Sequence, residues 1–190
     1  MFFPRSTGLV ARLSSAFFGH PFACTYRSGE SMSGPYIGTC LCTEVRYELR
    51  AEPLTFYVCH CTDCQARCGG PALPVMWVYR RDLYVVKGLP AMRTLDFGEG
   101  RQRRRVVCPR CDTQLWGEPV NRPGMAALRP GTLLNQDEFS PVAHVFTRSK
   151  RPWFLIPDDV PTYESGTGDP DALFRLWRDK NAVSERTLYK

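Results

Sequence analysis

The sequence Cys59-His60-Cys61-Thr62-Asp63-Cys64 places three thiols on one short segment. Two further tight groups lie before and after it along the chain, Cys40-Leu41-Cys42 and Cys108-Pro109-Arg110-Cys111. Cysteines one or two residues apart are poorly placed to bridge each other, but they can direct two thiolates at one metal ion. Zinc accepts four such ligands in a tetrahedron. Because the chain has nine cysteines, an odd number, a fully paired disulfide framework is not expected. The three groups predict zinc binding, and zinc thiolates imply a reducing compartment.

Seven thiolates divide into a closed site of four ligands and an open site of three. A closed four-cysteine site is structural, whereas a three-ligand site leaves a fourth position for a substrate. The preferred partition has two zinc ions, one held by Cys40, Cys42, Cys108 and Cys111, the other by Cys59, Cys61 and Cys64. A second partition has a closed site made of Cys61, Cys64, Cys108 and Cys111. The first is favoured because three ligands on one loop already converge. A single structural zinc with spare cysteines is the remaining alternative. We interpret Cys24, outside every group, as a tail residue and Cys68 as a small core residue.

The composition is that of one folded domain with tails. The chain has 190 residues, of which 43% are hydrophobic and 23% are charged, values that exclude a wholly disordered chain. No apolar run is long enough for a transmembrane helix. The formal net charge is +6, and the densest basic cluster is formed by residues 101–105 together with Arg110. Such a cluster suits an anionic small molecule or a nucleic-acid backbone without deciding between them.

Short strands dominate the central part of the chain. Val45, Tyr47 and Leu49 alternate with polar residues, the period of a half-buried strand. Similar runs, many separated by glycine or proline, predict strands at 75–79, 83–86, 92–97, 105–107, 113–116 and 142–147. No helical period occurs between residues 36 and 160 beyond a possible turn after Cys61. The pattern predicts a mainly β fold of short antiparallel strands, stabilised by zinc.

The two ends differ from this central part, so we divide the chain at 1–35, 36–163 and 164–190. Asp169 resembles a helix N-cap, and Leu173, Leu176 and Trp177 fall at helical spacing. They predict one amphipathic helix near residues 170–180, packed on the sheet or on a second subunit. Residues 1–31 contain arginines but no acid before Glu30, which is typical of a mitochondrial presequence. The alternative is that the protein starts at Met32. The expected location is the cytoplasm, or the mitochondrion if residues 1–31 are a true presequence.

The ordered motifs resemble the glutathione-dependent formaldehyde-activating enzyme family, which includes centromere protein V. The resemblance covers roughly residues 36–163. In chain order the matching elements are Gly38-Thr-Cys40-Leu-Cys42, Cys59-His-Cys61-Thr-Asp-Cys64, Gly69-Gly70, Val107-Cys108-Pro-Arg-Cys111-Asp-Thr113, Gly131-Thr-Leu133, Pro141-Val-Ala-His144-Val-Phe and Lys150-Arg-Pro-Trp153. It implies a β-tent, in which two sheets are splayed around a zinc site. It also implies that the four-cysteine group holds a structural zinc, and that Cys59, Cys61 and Cys64 hold a second zinc near which glutathione binds.

Three positions depart from the family pattern. Thr43 and Asp112 stand where the family has glycine after a cysteine pair, and we expect a positive φ at these turns. Gln65 stands where the family often has arginine, so recognition of an anionic substrate would depend on Arg67 or on the 101–105 cluster. His60 is expected to hydrogen-bond away from the metal and His144 to be a satisfied core histidine. Trp77, Trp116 and Trp153 are interpreted as packing residues or as walls of a pocket, with packing favoured.

The resemblance implies a zinc-dependent carbon–sulfur lyase. Zinc with three thiolates is a weaker Lewis acid than zinc held by histidines, and it suits keeping a fourth thiol deprotonated. Adding the sulfur of glutathione to formaldehyde, or acting on a related thiol adduct, fits that chemistry. Two other classes stay open: a binding module with two structural zinc ions, for glutathione or for a nucleic acid, and an interaction protein that uses its C-terminal helix. We expect no membrane partner, and we regard nucleic acid as the weaker option.

Overall fold

A computed structural model describes residues 35–99, 102–169 and 171–188, with side chains as far as residue 182. The proposed N-terminal extension, Cys24 and the alternative start at Met32 lie outside the described residues. Within the described ranges, neither helix is long and apolar enough to span a membrane.

The described residues form eleven strands and two α-helices, which confirms the mainly β class. In chain order the strands are β1 (Tyr36–Thr39), β2 (Arg46–Leu49), β3 (Thr55–Cys59), β4 (Leu73–Tyr79), β5 (Leu83–Lys87), β6 (Ala91–Asp96), β7 (Gln102–Val107), β8 (Gln114–Pro119), β9 (Met125–Leu128), β10 (His144–Val145) and β11 (Thr162–Tyr163). The helices are α1 (Thr62–Cys68) and α2 (Ala172–Leu188).

The strands belong to two sheets. The smaller has the order β1-β2-β5, and the larger has the order β11-β10-β3-β4-β9-β8-β7-β6. Neighbours are antiparallel except at β10, which runs parallel to both β3 and β11. The segment before β10 already follows β3, since the Val142 N–H donates to the Phe56 carbonyl. Alternation of apolar residues cannot reveal such a parallel pairing, because it fixes which side chains are buried but not the strand direction.

The predicted alternation in β2 is confirmed, since Val45, Tyr47 and Leu49 have no exposed surface. The Tyr47 ring packs edge-on against Trp116 with centroids 5.6 Å apart, and its hydroxyl is 2.6 Å from that of Thr132. Gly38 lies opposite Tyr47 in the sheet. A Cβ on Gly38 would lie 2.0 Å from a carbon of the Tyr47 ring, so only glycine fits at this position.

Two clusters of buried residues make up the interior of the described domain. The larger is centred on Tyr47 and Trp116 and includes Cys40 and Cys108. The smaller contains Val75 and Val145 and includes Cys59 and Cys64. Each predicted cysteine group therefore lies at the edge of its own apolar cluster.

The C-terminal helix predicted near residues 170–180 is present as α2. Asp169, expected as the N-cap, lies three residues before the helix, and its carboxylate accepts the Asp171 N–H at 2.8 Å. Trp177 is buried and stacks on Phe139, while Leu176 packs against the larger cluster. The helix thus packs against its own domain. It begins two residues later than predicted and extends eight further.

Candidate metal centres and a cavity at the three-cysteine group

The four-cysteine group is formed where the β1–β2 turn meets the β7–β8 turn. The sulfur atoms of Cys40, Cys42, Cys108 and Cys111 all lie within 4.8 Å of one another. Cys42 Sγ is 3.6 Å from Cys40 Sγ and 3.7 Å from Cys108 Sγ. A zinc–sulfur bond of about 2.3 Å gives a tetrahedron with edges of about 3.8 Å. All eight cysteines of the described residues are free thiols. The donors and their spacing therefore fit a tetrahedral zinc ion.

Backbone hydrogen bonds shape both turns around the sulfur atoms. The Val45 N–H donates to Cys40 Sγ at 3.2 Å, and the Asp112 N–H donates to the Cys108 carbonyl at 3.0 Å. Thr113 joins the two turns: its hydroxyl accepts the Leu41 N–H at 3.2 Å and lies 3.1 Å from Cys111 Sγ. Hydrogen bonding to Thr113, chiefly to its hydroxyl, lowers the pKa of Cys111 to about 5, which favours the thiolate that a metal needs. Sequence analysis gave Thr113 no role, because its partner Leu41 is distant along the chain.

The expected positive φ is found at both departures from glycine. The φ angle is 59° at Thr43 and 56° at Asp112. Aspartate tolerates this left-handed conformation better than most residues, whereas a β-branched threonine is strained in it. The strain at Thr43 is held by the surrounding turn, in which the Thr43 N–H donates to the Cys40 carbonyl at 3.0 Å.

Replacing Thr43 by glycine is expected to raise the free energy of unfolding by about 1 kcal/mol, since glycine adopts the left-handed conformation without strain. Urea unfolding of the zinc-loaded protein measures this. Asp112→Gly is the matched control and should gain less, because aspartate is less strained and its carboxylate is 3.2 Å from Arg93 Nη2. A loss of stability in Thr43→Gly would contradict the strain at this turn.

The three-cysteine group lies at the junction of β3 and α1. Cys59 ends β3, Cys61 is the N-cap of α1, and Cys64 lies in the first turn of that helix. Their sulfur atoms lie within 4.8 Å of one another. The Cys61 sulfur accepts the Cys64 N–H at 3.4 Å, so the ligand geometry and the helix start depend on each other. The seven cysteines thus separate in space into the four and the three of the first partition, and the second partition is not found.

The three thiols differ in acidity. The pKa of Cys64 is lowered to about 6, chiefly because the Cys59 thiol donates a hydrogen bond to its sulfur and also because Arg67 and Arg103 lie nearby. The pKa of Cys59 is raised, chiefly because its proton is the one shared with Cys64 and also by burial. Cys64 is therefore the most acidic of the three thiols, and Arg67 and Arg103 contribute to this.

A cavity of about 420 Å³ opens in front of the three-cysteine group. One side is aromatic, with Tyr57, Trp77 and Phe146. Trp77 Nε1 donates to the Tyr57 hydroxyl at 3.2 Å, which fixes the two rings relative to each other. Among the described residues, six arginines line the cavity: Arg67, Arg103, Arg104, Arg105, Arg129 and Arg148. The three cysteines and the six arginines, which we call the cationic wall, therefore line the same cavity.

Comparison with known proteins assigns the fold to a family. A family model described as glutathione-dependent formaldehyde-activating enzyme matches residues 35–149, which contain all seven cysteines. The chain belongs to this family. A crystal structure of a Rhodobacter sphaeroides protein aligns with a TM-score of 0.43 and 21% identity, over 55% of this chain and 96% of that one. Among curated proteins, none matches the chain significantly.

Membership of the formaldehyde-activating family confirms the resemblance and connects the chain with glutathione and formaldehyde chemistry. Gln65 was noted above as a departure from the family pattern, because it stands where the family often has arginine. Gln65 is buried, and its Nε2 donates to the His60 carbonyl at 2.7 Å and to the Ser149 carbonyl at 2.8 Å. It therefore joins the cysteine loop to a neighbouring loop and does not face the cavity.

The two histidines support the cysteine loop from behind. His60 is fully buried, and its Nε2 lies 2.8 Å from Nδ1 of His144, itself almost completely buried. Burial lowers the pKa of both rings, and the pKa of His60 falls to about 4, with His144 and Lys150 contributing. Both rings are therefore neutral near pH 7. The expectations that His60 bonds away from the thiols and that His144 is a core histidine are confirmed.

The structure changes the sequence-based interpretations of Cys68 and Trp153. Cys68 is exposed and not a core residue, because it ends α1 with its sulfur near the Ala72 carbonyl at 3.4 Å. Trp153 is 68% exposed, whereas Trp116 packs in the core and Trp77 lines the cavity, the two roles that were expected. Arg129 was missed altogether, since a lone arginine after a strand carries no signal for a site.

Proposed function

We propose that this chain is a zinc-dependent carbon–sulfur lyase of the formaldehyde-activating type, which joins the thiol of glutathione to formaldehyde or acts on a related thiol adduct. The observation that carries the proposal is the group Cys59, Cys61 and Cys64, which faces a cavity of about 420 Å³. A volume of this size suits a small molecule. Free thiols in both cysteine groups are consistent with a reducing compartment, and we propose the cytoplasm.

The two cysteine groups have different roles in this proposal. The four-cysteine group, which is part of the larger apolar cluster, would hold zinc for stability. The three-cysteine group would hold a second zinc, which when bound would supply a positive centre that keeps the substrate sulfur as a nucleophilic thiolate. Tyr57, Trp77 and the arginines of the wall would bind and orient the rest of the thiol.

The reaction balances without a further reactant. The sulfur forms a bond to the carbon of formaldehyde, the electron pair of the C=O double bond moves to oxygen, and that oxygen takes up the proton lost by the thiol. The reverse reaction returns thiol and formaldehyde. Because the addition also occurs spontaneously, the contribution of the protein is to hold the thiolate ready and oriented, which raises the rate in both directions.

Exchange between formaldehyde and S-hydroxymethylglutathione, measured by NMR, tests the proposal. The wild type is expected to accelerate exchange, and Cys61→Ser is expected to lose the acceleration together with one zinc equivalent. Cys68→Ser is the matched control, because Cys68 is exposed and outside both groups.

Unchanged turnover and zinc content in Cys61→Ser would contradict the proposal. A zinc-loaded wild type that binds glutathione without accelerating exchange would also contradict catalysis, and would point to a carrier of the thiol.

A further inference from the structure

The cavity wall carries more positive charge than its own residues balance. Of the six described arginines that line it, Arg104 points to the opposite face of β7, which leaves five against the two carboxylates Asp63 and Glu118. Glu118 is already engaged, because it accepts hydrogen bonds from Arg80 Nε at 2.7 Å and from Trp116 Nε1 at 3.0 Å. Within the described parts of the chain, Arg67, Arg103 and Arg129 form no ion pair, and Arg105 donates to the neutral amide of Gln114 at 3.0 Å.

The arginines reach the cavity from three different elements. Arg103 and Arg105 are two residues apart on β7 and so point to one face of the sheet. Arg129 follows β9 directly. Arg67 is three residues after Cys64 on α1, on the same face of the helix as that thiol. Because these arginines come from separate elements and line one cavity, they indicate a binding site and not merely one basic stretch along a strand.

Partial burial makes this arrangement costly without a ligand. Arg67 and Arg129 are both half-buried. The pKa of Arg129 is lowered to about 10 by burial and by the charges of Arg67 and Arg105, and the pKa of Arg67 is lowered by burial and by Arg103. Like charges that are crowded and partly desolvated need an anion between them to become favourable.

The shape of the site favours a small anion over a nucleic acid. The arginines line a cavity of about 420 Å³ together with Tyr57 and Trp77. A surface for duplex phosphates would instead present its cations outward along a groove or ridge.

We propose that the thiol taken by this site carries a doubly charged anionic group, a phosphate or two neighbouring carboxylates, which Arg67, Arg103 and Arg129 bind. The proposal rests on the proposed function, because it assigns the sulfur of the same molecule to the three-cysteine group. A single carboxylate has only two oxygens and can pair fully with one guanidinium, which would leave the others uncompensated. Glutathione carries its carboxylates at opposite ends, one beside an ammonium group, and can bring only one of them to the cluster. It is therefore expected to bind, but less tightly than a thiol that carries the full dianion.

A matched series of thiols tests the proposal by titration calorimetry on the zinc-loaded protein. The series is 2-mercaptoethanol, 3-mercaptopropionate and mercaptosuccinate, which carry zero, one and two carboxylates. Mercaptosuccinate is expected to bind about tenfold more tightly than 3-mercaptopropionate, and more weakly as salt is added. Arg67→Gln and Arg129→Gln should remove that advantage, so that mercaptosuccinate binds no more tightly than 3-mercaptopropionate. Arg81→Gln is the control, because Arg81 lies outside this cavity.

Two ligands without sulfur give a readout that does not depend on the metal. Succinate and inorganic phosphate should each raise the melting temperature of the wild type but not that of Arg129→Gln, and the stronger of the two identifies the anionic group. The ligand-free melting temperature of Arg129→Gln should equal or exceed that of the wild type, which checks that the variant is folded.

The outcomes separate this inference from the proposed function. If thiols bind to the wild type and not to Cys61→Ser, but show no preference for the dianion, the inference is overturned and the lyase proposal stays intact. Binding of succinate or phosphate without binding of any thiol would support the anion site and overturn the lyase proposal. An oligonucleotide that binds at moderate salt and is not displaced by these small dianions would overturn the inference in favour of a nucleic-acid ligand.

Discussion

Replacing Cys108 by serine is expected to lower the free energy of unfolding by more than about 4 kcal/mol and to remove one zinc equivalent. Cys108 has no exposed surface and belongs to the larger apolar cluster, so its loss affects the metal site and the main core together. Since a structural zinc site does not exist in the unfolded chain, its binding energy is folding energy. The two turns that it joins, one before β2 and one before β8, would then lose their connection.

Zinc content and urea unfolding measure this effect. Cys68→Ser is the control and should stay within about 0.5 kcal/mol of the wild type, because its thiol is exposed and outside both groups. Should Cys108→Ser fail to accumulate as folded protein, graded chelation of the wild type replaces it and should give two steps, of which only the tighter one unfolds the domain. Full stability after removal of both zinc ions would refute a structural role for the four-cysteine group.

Replacing Gly38 by alanine is expected to lower the free energy of unfolding by about 3 kcal/mol or more. The new methyl carbon would lie 2.0 Å from the Tyr47 ring. That ring cannot move aside, because it is fully buried, packs against Trp116 and is hydrogen-bonded to Thr132. The β1 strand would have to separate from β2, and Cys40, two residues further on, would be displaced with it.

A double-mutant cycle distinguishes this clash from a loss of backbone freedom. In a Tyr47→Val background the ring is gone, so Gly38→Ala should cost much less there than in the wild type. Gly117→Ala is the matched control within a strand, since its methyl carbon would meet no atom closer than 3.5 Å. Equal costs in the two Tyr47 backgrounds would show that the ring is not the cause.

The cysteine groups could be predicted from the sequence because short spacing forces convergence. Cys59, Cys61 and Cys64 have little freedom to diverge, and their clustering follows from the loop alone.

The strand β2 could be predicted because one of its faces is buried and the other is not. The strand β3 was missed for the opposite reason: Thr55–Cys59 is buried on both faces and shows no alternation. The strands β1 and β9 were also missed, since glycine in one and two alanines in the other weaken the β signal.

The residues around the three-cysteine group could not be found in this way. His60 meets His144, and Gln65 meets Ser149, across 84 positions of sequence in each case. Arg129 approaches Arg67 only because β9 pairs with β4. Such contacts depend on strand order, and strand order does not follow from the local pattern of any one segment. Sequence analysis could name Arg67 and the 101–105 cluster as cationic candidates but could not say that Arg67 and Arg103 line the same cavity.

The helix α1 has a consequence for which molecules the cavity accepts. It carries Cys64 in its first turn and Arg67 one turn later, on a segment capped at one end by Cys61 and at the other by Gly69. Three residues of helix rise by about 4.5 Å. The sulfur of Cys64 and the first cation, Arg67, are therefore carried by the same short helix, which sets the spacing between them. Under the proposed function, we expect the cavity to select ligands by the distance between their sulfur and their negative charge, and a longer or shorter spacer is expected to weaken binding.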